Sequence, residues 1–102
     1  MHVISRKALR LAAQRHSDAE PGLDRWYRVT RKADWRSIAD VRKAFPHADA
    51  ATVASGNTVT IFNIAGNKYR LVTVMHYTRS KVYVAMVLTH AEYSKNAWKG
   101  RL

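Results

Sequence analysis

The chain has 102 residues, of which 47 % are hydrophobic and 10 % aromatic, which is enough to bury the core of one domain and argues against disorder. It contains 18 Lys and Arg, 7 Asp and Glu and no cysteine, which excludes disulfides, a thiolate nucleophile and a zinc site built on sulfur. No apolar run reaches the length of a signal sequence or a membrane span, so we expect a single soluble domain over residues 1–102, in keeping with a reducing cytoplasm.

The formal net charge of +11 predicts an anionic partner, because such an excess raises the local concentration of polyanions. Nucleic acid, an anionic membrane and an acidic protein all satisfy this requirement. We favour nucleic acid, with RNA as the best candidate, and expect no membrane partner.

The first 45 residues predict a short strand followed by helices. Residues 1–4 are apolar enough for an edge strand, and Ser5 is a suitable N-cap for a first helix with alanines and leucines on one side. A second helix begins at Pro21, with Trp26 on its apolar face. A short third helix is stopped by Pro46.

The second half predicts strands. β-Branched and aromatic residues dominate three runs, 58–64, 68–77 and 82–88, and the connections between them are short enough for hairpins, so we expect an antiparallel meander. In the middle run, alternation places Lys68 and Arg70 on one face and Tyr69 on the other. Thr89 then caps a short final helix, after which the charged tail is expected to fray.

The second half contains a basic and partly aromatic group of residues, several of them near strand ends: Lys68, Tyr69, Arg70, His76, Tyr77, His90, Tyr93 and Lys95. Such side chains can cut RNA without a metal, because the 2′-hydroxyl attacks the adjacent phosphorus if a base, an acid and cations are supplied. Nearly all carboxylates lie in the N-terminal half, so a two-metal nuclease is disfavoured. We expect no metal and no cofactor.

Each candidate also has a structural interpretation. Arg70 is costly to bury within a strand, which favours contact with a phosphate over a structural ion pair. His90, at a helix start, is an acid or base, or else a capping or surface histidine. Tyr93 lies within helical reach of His90 or packs on the sheet. Lys68 holds a phosphate or is a solvated turn lysine.

The remaining candidates are assigned to RNA contact rather than to chemistry. His76 and Tyr77 fall near a strand end and suit structural or substrate-contact roles. Lys95 and Lys99 lie in the basic C-terminal segment. Trp26 and Trp35 are expected in the core, although tryptophan can stack on bases.

Four stretches together give the chain a family resemblance. They are the opening MHVISRKAL, the helix end Ala44–Pro46, the run VTIFNIAGNKYR at 59–70, and the stretch from Met86 to Tyr93. In order and spacing the chain resembles the HigB toxins, ribosome-dependent mRNA interferases of the RelE-like superfamily.

The resemblance implies an α+β RelE-like fold: a small, mainly antiparallel sheet made of a short N-terminal strand and the C-terminal meander, with helices on one side, a short C-terminal helix and an mRNA site on the other face. It implies a toxin of a type II toxin–antitoxin system that cleaves mRNA on the ribosome in contact with 30S ribosomal RNA, inhibited by a HigA-like helix-turn-helix antitoxin. It places Arg70 at the catalytic arginine, and His90 and Tyr93 in the region of further site residues. We add Lys68 as an assisting residue, because it precedes Arg70 by two positions. The alternative is a non-catalytic RNA- or ribosome-binding module, or a degenerate toxin.

Overall fold

The computed structural model describes residues 1–102 and divides them into four α-helices and five strands. The helices are α1 Arg6–Arg15, α2 Glu20–Lys32, α3 Ile38–Ala44 and α4 His90–Ser94. The strands are β1 His2–Ile4, β2 Asp49–Thr52, β3 Thr58–Ile64, β4 Tyr69–His76 and β5 Lys81–Thr89. Three 3₁₀ turns lie at Ser17–Ala19, Tyr77–Arg79 and Ala97–Arg101. The predicted α+β class is confirmed.

The strands form one sheet in the order β1-β5-β4-β3-β2. Strands β3, β4 and β5 pair antiparallel as the predicted meander, and β1 adds parallel to β5 at the edge. The other edge strand, β2, was not predicted. Its sequence, DAAT, has little β propensity, and its strand conformation comes from antiparallel pairing with β3, where Asp49 lies opposite Ile61 and Thr52 opposite Thr58.

Helices α1, α2 and α3 cover one face of the sheet. Their apolar residues and the helix-facing residues of β3, β4 and β5 form a core of 16 buried residues. Trp26 is fully buried and Trp35 is 5 % exposed, so both tryptophans belong to the core as expected. The Trp26 ring contacts Phe62 of β3 edge-on, which anchors α2 to the sheet.

The other face of the sheet carries a second, smaller apolar cluster, closed by the C-terminal segment. Trp98 is 1 % exposed and packs with residues of β3, β4 and β5. The amide of Ala54 donates a hydrogen bond to the carbonyl of Lys99 over 3.1 Å. The expectation that the tail frays was wrong, because burial of one large aromatic outweighs the charge of its neighbours.

The two predicted caps behave differently. Thr89 caps α4 through a complete capping box with Glu92, whose carboxylate accepts from the Thr89 amide over 3.0 Å, and this hydrogen bond lowers the pKa of Glu92. Ser5 stands at the N-cap position of α1, but its side chain makes no capping bond and its φ is 71°. The sharp left-handed turn from β1 into α1 replaces the extended cap geometry that was expected.

Strand β5 carries one extra residue in its pairing with β4. Val72 lies opposite Met86 while Thr73 lies opposite Val84, so Ala85 has no partner of its own. Both Ala85 and Met86 pack on the second cluster. This is a β-bulge, and it turns Leu88 towards the face on which Arg70 lies.

No helix in the structure has the length and apolarity needed to cross a membrane.

Two buried threonines provide a test of this packing. Thr30 Oγ1 is buried in α2 without a hydrogen-bond partner in the protein, whereas Thr73 Oγ1 donates to the Thr60 carbonyl over 2.9 Å. Replacing Thr30 with valine should leave the free energy of unfolding unchanged or raise it by about 1 kcal/mol, because no bond is lost.

The matched Thr73→Val substitution should lower that free energy by about 1–2 kcal/mol. Urea unfolding of both variants measures the difference. Equal effects at the two positions would contradict the hydrogen-bond assignment.

Candidate functional site

The candidate site lies on the face of the sheet opposite helices α1–α3, at the end formed by the β3–β4 turn and the start of α4. Arg70 is in β4, the central strand, opposite Asn63 of β3 and Leu88 of β5. Side chains alternate between the two faces along β4, so Tyr69 and Leu71 pack in the helix-side core. Arg70 lies on the other face, as predicted.

Arg70 is partly buried and has no carboxylate partner. One terminal nitrogen donates to the carbonyls of Asn67 and Tyr69, each over 3.1 Å, and the other donates to Asn67 Oδ1 over 3.2 Å. These hydrogen bonds position the guanidinium without neutralising its charge. They do not use all five of its N–H donors, so donors remain for a ligand. An arginine held in this way suits an incoming phosphate, and the structural ion pair considered for Arg70 is not present.

An aromatic pair lies beside Arg70. The guanidinium carbon of Arg70 is 5.5 Å from the centre of the Tyr93 ring, and Tyr93 stacks on Trp98 with ring centres 5.4 Å apart and 19° between the planes. Trp98 Nε1 donates to the Tyr93 carbonyl over 3.0 Å. The buried Trp98 therefore positions Tyr93, and the face of the Tyr93 ring makes a cation–π contact with the guanidinium of Arg70.

His90 is the first residue of α4 and is exposed. Its amide donates to the Lys68 carbonyl over 2.9 Å, which ties the start of α4 to the β3–β4 turn. Thr89, the preceding residue, lies opposite Tyr69, so His90 and Arg70 are at the same end of the sheet. The imidazole makes no hydrogen bond within the protein and is free to meet a substrate.

Lys68 is not on the face predicted for it. The strand begins at Tyr69, so Lys68 belongs to the turn, and its Nζ lies 3.4 Å from Asp18 Oδ2 on the helical side of the sheet. The Tyr69 hydroxyl donates to Asp18 Oδ1 over 2.7 Å. That bond, followed by Lys68, lowers the pKa of Asp18, and the same bond raises the pKa of Tyr69.

The residues expected to contact RNA fall into two groups. His76 and Tyr77 lie at the opposite end of β4 from Arg70: the His76 ring meets Tyr83 edge-on at 5.1 Å, and Tyr77 packs on the helix-side core, where burial raises its pKa. Lys95 and Lys99 instead flank the site, Lys95 exposed at the end of α4 and Lys99 with Nζ 5.8 Å from the centre of the Trp98 ring.

Two residues of the site were not found from the sequence. The sequence assigns Asn67 only to the short connection between two strands, and Trp98 only to the short final helix. A tryptophan within a strongly polar tail was the available signal, because so large an apolar side chain is rarely left in water. Nothing in the local sequence marked Asn67. No group of three or more His, Asp or Glu residues is placed to hold a metal ion.

The fold and the site together define a basic α+β protein with an arginine that has no carboxylate partner, beside an aromatic pair on the sheet face opposite helices α1–α3. The family model described as HigB_toxin, the RelE-like toxic component of a toxin–antitoxin system, matches residues 19–96. The chain therefore belongs to the HigB toxin family, and the resemblance seen in its sequence is confirmed.

Curated relatives agree with the family assignment. The chain is 26 % identical over 95 residues to the mRNA interferase HigB of Escherichia coli O6:H1, covering 93 % of this chain and 90 % of that protein. It is 29 % identical over 93 residues to the mRNA interferase toxin HigB of Escherichia coli K12 and to the mRNA interferase HigB of Shigella flexneri, covering 91 % of this chain and 88 % of each relative.

The contacts of Asp18 with Tyr69 and Lys68 predict a pH dependence of stability. Because folding lowers the pKa of Asp18 below its usual 3.8, the carboxylate stabilises the fold above that pH, and this contribution is lost as the pH falls through the lowered value. The Asp18→Asn variant should therefore be less stable than wild type at pH 7.

This difference should disappear in strong acid. Urea unfolding at a series of pH values measures it, with Asp34→Asn as a control whose carboxylate makes only an exposed pair with Arg36. A stability difference between wild type and Asp18→Asn that does not change with pH would contradict the assignment.

Proposed function

We propose that the protein is the toxin of a type II toxin–antitoxin system and inhibits translation by cutting mRNA, with residues 1–102 acting as one toxin domain in the cytoplasm. The observation that carries the proposal is Arg70, which has no carboxylate partner and lies on the sheet face opposite helices α1–α3, beside Tyr93 and at the same end of the sheet as His90. Membership of the HigB family and the mRNA interferase names of the relatives support it.

The chemistry proposed for this site is attack by the 2′-hydroxyl of the RNA on its own phosphodiester. The 2′-oxygen bonds to phosphorus and its proton passes to a base, while the bond to the 5′-oxygen breaks and that oxygen takes a proton from an acid. The products are a 2′,3′-cyclic phosphate and a free 5′-hydroxyl. Charge accumulates on the non-bridging oxygens midway, where fixed cationic donors are most effective.

Arg70 is proposed to stabilise that charge. Its hydrogen bonds to Asn67 and to the Tyr69 carbonyl position the guanidinium before the substrate arrives, so little reorganisation is needed. His90 is proposed as the acid or base, and Tyr93 as an assisting group. Lys68 is proposed to assist after leaving its pair with Asp18 on the helical side of the sheet, because that pair is exposed and such pairs are weak.

The surrounding basic surface is proposed to bring the protein to the ribosome. The outer side of α2 exposes several cations, among them Arg28, Arg31 and Lys32, which suit contact with 30S ribosomal RNA, and Lys95, Lys99, His76 and Tyr77 are proposed as further RNA contacts. Such contacts make binding strongly dependent on salt. The antitoxin is proposed to be a helix-turn-helix protein of the HigA type.

Arg70→Ala should lower the rate of mRNA cleavage by about 10²–10³-fold, because the negative charge that develops at phosphorus loses its fixed donor. Primer extension on mRNA from cells expressing the toxin alone measures discrete cleaved ends. Arg79→Ala is the matched control, since Arg79 is exposed in the turn at the other end of β4 and makes no ion pair; its activity should equal that of wild type.

If wild type gives no discrete ends, or Arg70→Ala cuts as well as wild type, the proposed function is wrong. Wild type that binds mRNA and leaves it intact would instead indicate a non-catalytic RNA-binding module or a degenerate toxin. Arg70→Lys keeps a charge but loses the planar fork, and it should recover only part of the activity.

His90→Ala should reduce the cleavage rate by about 10²-fold if its imidazole transfers a proton, with little change in thermal stability because His90 is exposed. Tyr93→Phe keeps the stack on Trp98 and removes only the hydroxyl, so it should fold normally and cut about tenfold more slowly. Rates from single-turnover cleavage and midpoints from thermal unfolding separate the two effects. Full activity in both variants would remove these residues from the mechanism.

A further inference from the structure

A cleft lies at the edge of the sheet, next to the proposed site. Strand β2 begins at Asp49 opposite Ile61, so the last residues of β3 have no strand beside them on that edge. The cleft has a volume of about 520 Å³. It lies between α2, the α3–β2 connection and the β3–β4 turn, and its lining includes Arg25, Phe45, His47, Asn63, Gly66 and Asn67.

The lining of this edge cleft is cationic and contains no carboxylate. Arg25 is exposed and forms no ion pair, and its guanidinium carbon is 5.5 Å from the centre of the Phe45 ring. Asp49 follows the cleft residue Ala48, but its Oδ1 lies 3.8 Å from a terminal nitrogen of Arg42. The positive charge of Arg25 is therefore not neutralised within the protein.

The backbone of α2 is held close to the β3–β4 turn one helical turn before Arg25. A Cβ added at Gly22 would lie 3.0 Å from Ile64 Cγ2 and 3.1 Å from the Ala65 nitrogen, so α2 approaches the β3–β4 turn almost backbone to backbone. Arg25 follows Gly22 by three residues and projects from a rigid part of α2. The contact of the Arg25 guanidinium with the Phe45 ring, together with the close packing of α2, favours a positioned binding group over a mobile surface arginine.

The edge cleft and the proposed site share one residue. Asn67 lines the cleft, and its Oδ1 accepts from Arg70 over 3.2 Å and from Asn63 Nδ2 over 3.5 Å. Because Asn67 borders both, a strand whose phosphate lies on Arg70 would reach the cleft by passing Asn67. This continuity favours RNA over an acidic protein segment as the occupant.

We propose that the edge cleft is a second phosphate subsite for the mRNA strand, in which Arg25 and His47 bind a phosphate adjoining the one that is cut. The inference rests on the proposed function, because it assumes that Arg70 binds the phosphodiester that reacts. It adds a binding group on α2 that acts in substrate affinity and takes no part in proton transfer.

The test uses a 5′-phosphorylated 2′-O-methyl RNA trinucleotide, which lacks the attacking hydroxyl and is not cleaved. In an NMR titration of the ¹⁵N-labelled protein, the Nε–H signals of Arg25 and Arg70, the side-chain amide of Asn67 and the backbone amide of His47 should shift with one common midpoint. Stationary signals for Arg25 and His47 would overturn the proposal.

Variants make the assignment specific. Arg25→Ala should weaken trinucleotide binding by about tenfold, the loss of roughly one charge-assisted hydrogen bond, and Arg25→Lys should restore part of it. Arg79→Ala removes the same charge far from the cleft and should have little effect. An equal loss in Arg79→Ala would mean that only overall charge matters, which also overturns the proposal.

Cleavage kinetics provide an independent readout. Arg25→Ala should raise KM for mRNA by about tenfold with kcat nearly unchanged, whereas Arg70→Ala lowers kcat. If wild type cuts no mRNA, the proposed function fails while the titration still decides whether the subsite exists. If an acidic peptide shifts the Arg25 and His47 signals and the trinucleotide does not, the edge cleft binds protein and the proposal is wrong.

Discussion

Burial of strand β4 on both of its faces is the constraint on which the rest of the structure depends. Leu71 on one face is in contact with the core under α1–α3, and Val72 on the other is enclosed by the cluster that Trp98 completes. Both residues are fully buried. Arg70 directly precedes Leu71 in this strand, so its backbone has little conformational freedom. Its guanidinium donates hydrogen bonds to Asn67 in the preceding turn and to the Tyr69 carbonyl. The site lies where the second cluster ends.

The charge of the protein divides into two populations with different surroundings. Some cations form exposed pairs that contribute little to stability, such as Arg28 with Asp24 and Lys43 with Asp40. Others, notably Arg70 and Arg25, are positioned by backbone carbonyls or by an aromatic ring and keep their full charge. The net charge of +11 attracts anions over a distance, and the second population supplies the cationic groups of the proposed RNA subsites.

Much of the fold could be predicted from the sequence, because β-branched runs and short turns specify a meander locally. Strand β2 could not, since its four residues have little preference of their own and become a strand only through a partner distant in sequence. Lys68 shows what the sequence could not predict about the site. Strand alternation places it on the same face as Arg70, but β4 begins only at Tyr69 and Lys68 lies in the turn. Its ion pair with Asp18 joins residues 50 positions apart, which local sequence does not reveal. The sequence predicts Arg70, His90 and Tyr93 as site residues near strand ends, but the contacts of Arg70 with Asn67 and of Tyr93 with Trp98 depend on tertiary packing.

The bulge at Ala85 determines on which side of the protein the C-terminal segment lies. Side chains alternate along a strand, so a single unpaired residue inverts the facing of everything after it. With Ala85 in place, Leu88 points into the second cluster, on the face opposite helices α1–α3, and α4 follows it there. A chain one residue shorter at this point would send its C-terminus towards the helical layer instead. The length of β5 thus determines on which face of the sheet the aromatic pair lies. In homologous chains, an insertion or deletion here would move that pair to the other face even with every side chain of the site unchanged.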